Sequence, residues 1–210
     1  MDVKRFKRLP VMGILRAKAA FDIEPLMEAV ASAGLETLEI TMNSRNPEQL
    51  IRKAVAASGR RLSIGAGTVL DLDTLQSALQ AGAGFIVMPV LIEDVLEYCL
   101  KNKIPAFPGA FSPQEIYRAW RAGATMVKVF PANFFGPEYF QEIKGPFGRI
   151  ELLACGGVTP RNLAGYFAAG ASAVSFGSGV FRQEWLENRD FKMISARIKK
   201  YLQAYHGLKA

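Results

Sequence analysis

The sequence is short of the residues on which much enzyme chemistry depends. Its only histidine, His206, lies in the C-terminal tail, which excludes a histidine-based metal site, a Ser-His-Asp triad and a histidine general base. Cys99 and Cys155 are the only cysteines. Two thiols are too few for a disulfide framework or a metal cluster. Because proteins without disulfides are typical of the reducing cytoplasm, we expect a cytoplasmic protein. A P-loop is also missing, which argues against nucleotide-driven phosphoryl transfer.

Long apolar runs are missing as well. The longest, Phe85–Ile92, is too short to cross a bilayer, and no secretory signal core follows the basic N-terminus. The net charge is +7, but the basic residues are dispersed and are not interleaved with aromatics. We therefore expect neither a membrane nor a nucleic acid as partner. A positive field would instead attract a small anionic substrate.

The 210 residues contain a repeated unit of an apolar strand, a turn and an amphipathic helix. Four helices should end in Ala-Gly, where glycine suits the left-handed residue of a helix C-terminus, at Gly34, Gly82, Gly123 and Gly170. The last helix should run from about Asp190 to Tyr205. The eight predicted strands are Val11–Arg16, Leu35–Met42, Arg61–Thr68, Phe85–Val90, Pro105–Gly109, Thr125–Phe130, Ile150–Cys155 and Ala173–Phe176.

Eight strand–helix units of roughly 25 residues predict a parallel sheet closed into a (β/α)8 TIM barrel. We expect one domain over residues 1–210, with a short N-terminal helix. The alternative is an open doubly wound sheet with a dinucleotide-binding loop at Gly65-Ala-Gly67 or Gly177-Ser-Gly179. Both lack the third glycine of that fingerprint, because Leu70 and Arg182 stand at its position. The sequence therefore favours the barrel.

Lys128 is a lone amine inside the predicted strand Thr125–Phe130. A charge is costly among apolar residues, so we expect a lowered pKa and a neutral amine able to form a Schiff base. The alternative is an edge-strand lysine whose stem packs on apolar surface while its ammonium reaches water. Side chains alternate along a barrel strand, and this alternation places Lys128 on the interior with Met126 and Phe130.

A carboxylate is expected in the same interior. Thr37, Glu39 and Thr41 alternate with apolar residues on the second strand, and central parallel strands are normally covered on both faces. Since histidine is excluded, the chemistry that remains is amine catalysis by Lys128 with Glu39 as proton shuttle.

Glycines follow the last two strands. Gly156 and Gly157 come after the seventh strand, and Gly177 and Ser178 come after the eighth. Loops in these two positions are the usual phosphate site of the fold, because bare backbone N–H groups meet the anion there. Glycines can also serve only as tight turns, but two adjacent sites favour phosphate.

The motifs run in order along nearly the whole chain. They are Gly13-Ile-Leu-Arg16, Leu38-Glu39-Ile40-Thr41, Gly65-Ala-Gly-Thr68, Pro108-Gly109, Val127-Lys128-Val-Phe-Pro131, Lys144-Gly-Pro-Phe147, Gly156-Gly-Val-Thr-Pro160 and Gly177-Ser178. Together they resemble the KDPG/KHG aldolases, class I enzymes that cleave 2-keto-3-deoxy-6-phosphogluconate or 4-hydroxy-2-oxoglutarate. The resemblance implies a small barrel, usually a homotrimer, that uses no metal and no other cofactor.

The resemblance also implies roles for individual residues. Lys128 would be the Schiff-base lysine and Glu39 the general acid/base. The implied substrate is an anionic keto acid, a 2-keto-3-deoxy-6-phospho sugar acid, which is cleaved to pyruvate and glyceraldehyde 3-phosphate. The implied substrate-binding residues are Arg16 and Thr68 at the pyruvyl carboxylate, Pro89 and Phe130 around the carbon chain, and Gly156, Gly157, Gly177 and Ser178 at the phosphate.

Two departures from the family pattern bear on the substrate. Many gluconate enzymes carry an arginine four residues after the glutamate, where this chain has Asn43. Arg16 would supply the guanidinium, and Arg45 is the second candidate. The pattern from Glu39 to Ser44 favours the branch that cleaves 2-keto-3-deoxy-6-phosphogalactonate. Cys155 stands where the gluconate enzymes usually carry a threonine that reads the C4 configuration. We expect Cys155 to line the substrate site without enforcing gluconate specificity.

Three other functions stay open at this point. The first is a 4-hydroxy-2-oxoglutarate aldolase with oxaloacetate decarboxylase side activity. The second is a barrel phosphosugar isomerase with Glu39 as base and Lys128 as an electrostatic clamp, and the third is a non-catalytic ligand-binding barrel. Reduction of a lysine imine in the presence of pyruvate would separate the aldolases from the isomerase, which forms no covalent intermediate.

Overall fold

The computed structural model describes residues 1–208. Its strands are β1 (Val11–Leu15), β2 (Thr37–Thr41), β3 (Ser63–Gly67), β4 (Ile86–Val87), β5 (Ala106–Phe107), β6 (Gly109–Ala110), β7 (Val127–Val129), β8 (Leu152–Cys155) and β9 (Ala173–Phe176). Its helices are α1 (Val3–Arg8), α2 (Ile23–Ser32), α3 (Pro47–Ser58), α4 (Leu72–Gln80), α5 (Glu93–Lys101), α6 (Pro113–Arg121), α7 (Gly136–Lys144), α8 (Leu163–Ala168), α9 (Gln183–Glu187) and α10 (Phe191–His206), with a 3-10 turn at Ala132–Phe134.

The strands form a closed barrel. They pair in parallel in the order β5-β4-β3-β2-β1-β9-β8-β7-β6. The two strands at the ends of this order are halves of the predicted fifth strand, separated in the chain only by Pro108. Proline has no N–H for the ladder, so it interrupts the strand. The predicted (β/α)8 barrel is therefore confirmed, with its fifth strand divided.

The fourth strand is also shorter than predicted. The apolar run suggested Phe85–Val90, but β4 covers only Ile86–Val87. Pro89 interrupts the ladder beyond the carboxyl end of β4. Before its amino end, the carbonyl of Phe85 still accepts a 3.0 Å hydrogen bond from the amide of Ala66 on β3. The pairing therefore extends slightly beyond the regular strand.

The predicted helix ends are confirmed. All four Ala-Gly glycines have left-handed backbones, with φ of 92°, 100°, 96° and 93° at Gly34, Gly82, Gly123 and Gly170. The predicted N-terminal helix is α1, and the last helix begins and ends within one residue of its expected bounds. The short α9 was not predicted. No helix in residues 1–208 is long and apolar enough to span a membrane.

The barrel interior is filled at its amino-terminal end by an apolar cluster, which we call the lower layer. Phe6 of α1 covers it from below and meets the ring of Phe107 edge to face, with centroids 5.8 Å apart. Phe107 makes a second such contact with Phe85 at 5.9 Å. The members of the lower layer are Phe6, Met12, Phe85, Val87, Phe107, Met126, Leu153 and Ala173. Because this end is packed shut, an interior cavity can open only at the carboxyl ends of the strands.

Candidate active site

A cavity of about 740 Å³ opens at the carboxyl ends of the strands, where barrel enzymes carry their sites. All the site residues predicted from the sequence line this one cavity. They are Arg16, Glu39, Thr68, Pro89, Lys128, Phe130, Cys155, Gly156, Gly157, Gly177 and Ser178. The structure thus brings together residues that come from seven different strands.

Lys128 lies on β7, two residues beyond Met126 of the lower layer. This spacing turns both side chains into the interior, as predicted. The lysine is only 7% exposed, so it is not an edge lysine whose ammonium reaches bulk water. Its Nζ lies 5.4 Å from the centroid of the Phe130 ring, close enough for a cation–π contact.

Glu39 lies on β2 and is 1% exposed. Its carboxylate occupies space that a glycine on the neighbouring strand leaves open: a Cβ on Gly67 would lie 1.6 Å from Oε1 of Glu39. The other carboxylate oxygen, Oε2, is buried and has no hydrogen-bond partner among the described residues. A buried acceptor without a partner is costly, which is typical of a group kept for function.

Burial dominates the pKa of the Glu39 carboxyl. Removal from water raises this pKa, although the positive charges of Lys128 and Arg16 partly offset the effect. The same loss of solvent lowers the pKa of Lys128, but Cys155 and Glu39 favour its charged form and leave the pKa raised. The predicted lowering is therefore wrong, because the strand pattern showed the apolar surroundings and not the acidic groups that face Lys128 from other strands. The amine needs a base to remove its proton, and Glu39 is a buried base in the same cavity.

Cys155 and Ser175 sit opposite each other on β8 and β9. The Ser175 hydroxyl donates to the carbonyl of Ala154 at 3.2 Å, and burial raises the pKa of the Cys155 thiol. Ser175 was not predicted, although it stands two residues before Gly177 and so shares its interior face.

Arg16 and Thr68 flank the cavity at the ends of the first and third barrel strands. Arg16 is exposed at the rim. Thr68 has a left-handed backbone, with φ of 59°, which is rare for a β-branched residue. Such strained positions cluster at functional sites because the surrounding structure holds them.

The loop after β1 is fastened to the barrel by a residue that the sequence did not single out. The hydroxyl of Ser44 accepts a hydrogen bond from the amide of Ala17 at 3.1 Å and lies 3.1 Å from the hydroxyl of Thr41. All three groups are buried. Arg16 is therefore presented from a fixed backbone.

The glycine turns form the wall of the cavity opposite β3. Gly156 and Gly157 both have left-handed backbones, with φ of 97° and 71°. A Cβ on Gly157 would lie 2.3 Å from the Cβ of Asn133, so only glycine lets this turn pack. The side-chain amide of Asn162 donates to the carbonyl of Gly157 at 3.0 Å and fixes the turn.

Within residues 1–208, no group of three or more His, Cys, Asp or Glu side chains could hold a metal ion. The cavity instead combines a buried amine, a buried carboxylate and a wall of glycine turns. This arrangement can add an amine to a carbonyl compound, move a proton beside it and hold an anion at the opposite wall.

The fold and the site place the chain among the (β/α)8-barrel enzymes. Residues 3–197 match the family described as KDPG and KHG aldolase. The match covers most of the chain, and the chain belongs to this family. It is therefore an aldolase, a lyase, and the resemblance seen in the sequence motifs is confirmed.

The named relatives include both phosphogalactonate and phosphogluconate aldolases. The chain is 33% identical to the 2-dehydro-3-deoxy-6-phosphogalactonate aldolase of Escherichia coli (strain K12), over 94% of this chain and 97% of that protein. It is 40% identical to a 2-dehydro-3-deoxy-phosphogluconate aldolase of Pseudomonas aeruginosa, over 76% of this chain and 71% of that one. A solved cube-shaped protein cage, designed by fusing symmetric oligomeric domains, superposes with a TM-score of 0.88 at 31% identity, covering 95% of this chain and 73% of the cage chain.

Proposed function

We propose that the chain is a class I aldolase that cleaves a 2-keto-3-deoxy-6-phospho sugar acid, with the gluconate or galactonate configuration, to pyruvate and glyceraldehyde 3-phosphate. The observation that carries the proposal is the presence in one cavity of the buried Lys128 amine and the buried Glu39 carboxylate. Burying two ionisable groups together is costly, and a catalytic pair is a reason for keeping them.

The first stage is imine formation. Glu39, whose pKa is raised, accepts the proton that Lys128 must lose. The neutral Nζ then attacks the C2 carbonyl of the keto acid. The hydroxyl of the resulting carbinolamine takes the proton from Glu39 and leaves as water, which gives a protonated imine and restores the Glu39 carboxylate. The cation makes C2 an electron sink for the next stage.

The second stage is cleavage of the C3–C4 bond. The Glu39 carboxylate takes the proton of the C4 hydroxyl, directly or through a water molecule. As the C4 oxygen becomes an aldehyde, the C3–C4 electron pair moves toward the imine and leaves an enamine on Lys128. The protonated Glu39 returns its proton to C3, and hydrolysis of the imine releases pyruvate.

The remaining predicted residues would orient the substrate. Arg16 suits a bidentate contact with the pyruvyl carboxylate, and Thr68 stands at the same side of the cavity as Glu39. Pro89 and Phe130 would pack along the carbon chain. Cys155, at the cavity wall beside Lys128, would face the reacting carbons. The turns at Gly156, Gly157, Gly177 and Ser178 would hold the phosphate through their backbone N–H groups.

Borohydride trapping with pyruvate, followed by peptide mass spectrometry, tests this function. A reduced pyruvyl adduct on Lys128 is expected, and the variant Lys128→Met should give none. A folded wild-type protein without an adduct would contradict the Schiff-base mechanism and favour the isomerase alternative. Relative cleavage rates of the gluconate, galactonate and 4-hydroxy-2-oxoglutarate substrates would then identify the branch. Preference for 4-hydroxy-2-oxoglutarate would overturn the assignment to phosphorylated sugar acids.

We also propose that the protein is a homotrimer. An aromatic surface beside the cavity consists of Phe111, Phe134, Phe135 and Tyr139, whose rings pack at centroid distances of 5.4–6.3 Å. Phe134 and Phe135 are 73% and 57% exposed, and exposed apolar patches of this kind mark interfaces. The similar cage protein was built from oligomeric domains, which supports a second copy as the group that covers this surface.

Size measurement by light scattering tests the trimer. The wild type should have three times the chain mass, and Phe134→Glu with Phe135→Glu should produce monomers because two charges cannot be buried unpaired. A monomeric wild type would contradict the trimer, and a trimeric double variant would contradict the choice of surface. Cytoplasmic localisation stays a prediction of the sequence.

A further inference from the structure

Two cationic side chains line the cavity in addition to the predicted residues. They are Lys18, in the loop after β1, and Arg182, which follows the glycine turn at Gly177. Neither forms a salt bridge with a carboxylate in the part of the chain that the structure describes. The only acidic side chain on the cavity wall, among the described residues, is Glu39. The entrance region therefore carries two positive charges that the fold itself does not use.

The guanidinium of Arg182 and the backbone of Lys18 are held in place by neighbouring groups. The guanidinium of Arg182 lies over the ring of Trp185, 5.1 Å from its centroid, an arrangement that orients an arginine. The side chain of Gln183 connects the two loops: its Oε1 accepts from the Lys18 amide at 2.9 Å, and its Nε2 donates to the carbonyl of Arg16. Gln183 thus fastens the loop that carries Lys18 to the segment that carries Arg182.

The charges of the cavity divide between its two ends. In the proposed mechanism, Arg16 and Lys128 serve the pyruvyl end. Lys18 and Arg182 remain for the end formed by the turn at Gly177, where backbone N–H groups offer only partial charges. A phosphate dianion is held more strongly when full positive charges join the backbone donors.

We propose that Lys18 and Arg182 form the charged part of the distal subsite and select aldehydes that carry a phosphate over those that do not. Gln183 is a positioning residue, because it acts by fixing the loop of Lys18. This inference rests on the proposed aldolase function and adds residues that determine its specificity.

The test uses the reaction in the direction of synthesis, with pyruvate and either glyceraldehyde 3-phosphate or glyceraldehyde as acceptor. This choice makes the result independent of which sugar-acid epimer the enzyme prefers. Lys18→Ala and Arg182→Ala should each lower kcat/KM for the phosphorylated acceptor by roughly tenfold to a hundredfold, the range of a lost hydrogen bond to a charged group. The loss should appear mainly in KM, and the preference for the phosphorylated acceptor should fall by the same factor.

Lys199→Ala is the matched control. Lys199 is an exposed lysine on α10 that does not line the cavity, so this variant loses the same charge without touching the subsite. Its acceptor preference should equal that of the wild type. An equal loss of preference in Lys199→Ala would attribute the effect to net charge and overturn the proposal.

The role of Gln183 is tested by a double-mutant cycle. Gln183→Ala should lower the preference for the phosphorylated acceptor severalfold, and the loss should be smaller when Lys18 is already alanine, because coupled residues are not additive. Full additivity would remove Gln183 from the proposal. If the preference is unchanged in both Lys18→Ala and Arg182→Ala, the charged subsite is wrong. Pyruvate trapping separates this outcome from failure of the aldolase function, since only the latter predicts no adduct on wild-type Lys128.

Discussion

The two ends of the barrel interior differ sharply, although the same strands build both. The lower layer holds buried apolar side chains such as Phe107 and Met126. Within it, Phe107 makes edge-to-face contacts with two other phenylalanine rings. The upper level holds Glu39 and Lys128, which are equally buried but ionisable. Met126 and Lys128 are two residues apart on one strand. The backbone is therefore common to both ends, and the residue type alone makes one position structural and the other reactive.

The energetics of the two ends have opposite signs. Burial of a large apolar side chain in the lower layer stabilises the fold by about 1.5–3 kcal/mol. The unpartnered Oε2 of Glu39 costs about 1–3 kcal/mol, as a buried acceptor without a hydrogen bond. The packed end thus offsets what the reactive end costs. Variants that separate these contributions test the comparison directly.

Replacement of the lysine should have the largest effect on activity. Lys128→Met keeps the volume of the side chain but removes the nucleophile, so cleavage should be abolished while the barrel stays folded. Thermal stability should be equal or higher, because a buried cation is replaced by an apolar group. Steady-state cleavage and Tm measure the two effects. Retention of wild-type turnover would show that the upper level is not the reactive end.

Loss of the carboxylate should have the next largest effect. Glu39→Gln preserves shape but removes the base, and turnover should fall by about 10²-fold or more. Imine formation with pyruvate should remain detectable by borohydride trapping. A variant that cleaves substrate at the wild-type rate would contradict the role of Glu39 as proton shuttle.

The pH profile sharpens this prediction. Burial raises the pKa of Glu39 above the usual 4.5, and the mechanism needs the carboxylate form. As the pH falls through the raised pKa, the group is protonated and kcat/KM should decline, so the acidic limb should lie at a pH above 4.5. Residual activity of Glu39→Gln should lack this limb. An acidic limb that persists unchanged in the variant would assign it to another group.

Much of this comparison could be predicted from the sequence, because strand alternation has a strict period of two. That period alone predicts that Lys128 and Glu39 share one interior. It does not give the direction of the Lys128 pKa, because that direction depends on how close Cys155 and Glu39, which lie on other strands, come to the amine. The sequence also did not identify Lys18 and Arg182 as site residues: they lie on loops, where no periodicity indicates direction.

Two glycines on β3 lie at different ends of the barrel interior, Gly67 beside Glu39 and Gly65 beside Phe85. Replacing Gly67 should affect activity less than replacing Lys128 or Glu39 themselves. A Cβ on Gly67 would lie 1.6 Å from Oε1 of Glu39, whereas a Cβ on Gly65 would lie 2.5 Å from ring atoms of Phe85. Gly67→Ala should displace the carboxylate and lower kcat on the order of 10- to 100-fold. Gly65→Ala should instead lower stability by about 1–3 kcal/mol through overpacking. Kinetics and denaturant unfolding on both variants measure the contrast, and equal effects of the two on kcat would break it.

The smallest effect on activity is expected from Met126→Ala in the lower layer. Met126 is fully buried, so its truncation should cost about 2–5 kcal/mol of unfolding free energy and lower Tm by roughly 5–15 °C. Met193→Ala is the matched control, because Met193 is 47% exposed on α10 and should change stability by less than about 0.5 kcal/mol.

Below its transition, the Met126→Ala protein should trap pyruvate on Lys128 and turn over substrate at nearly the wild-type rate. The reason is that Lys128 is fixed by its own strand pairings, to Gly109 and Leu153, which the truncation leaves in place. Activity measured per folded molecule and Tm should therefore move independently. A loss of turnover as large as that of Glu39→Gln, in a fully folded sample, would mean that the lower layer positions the amine and that the two ends of the barrel act as one unit.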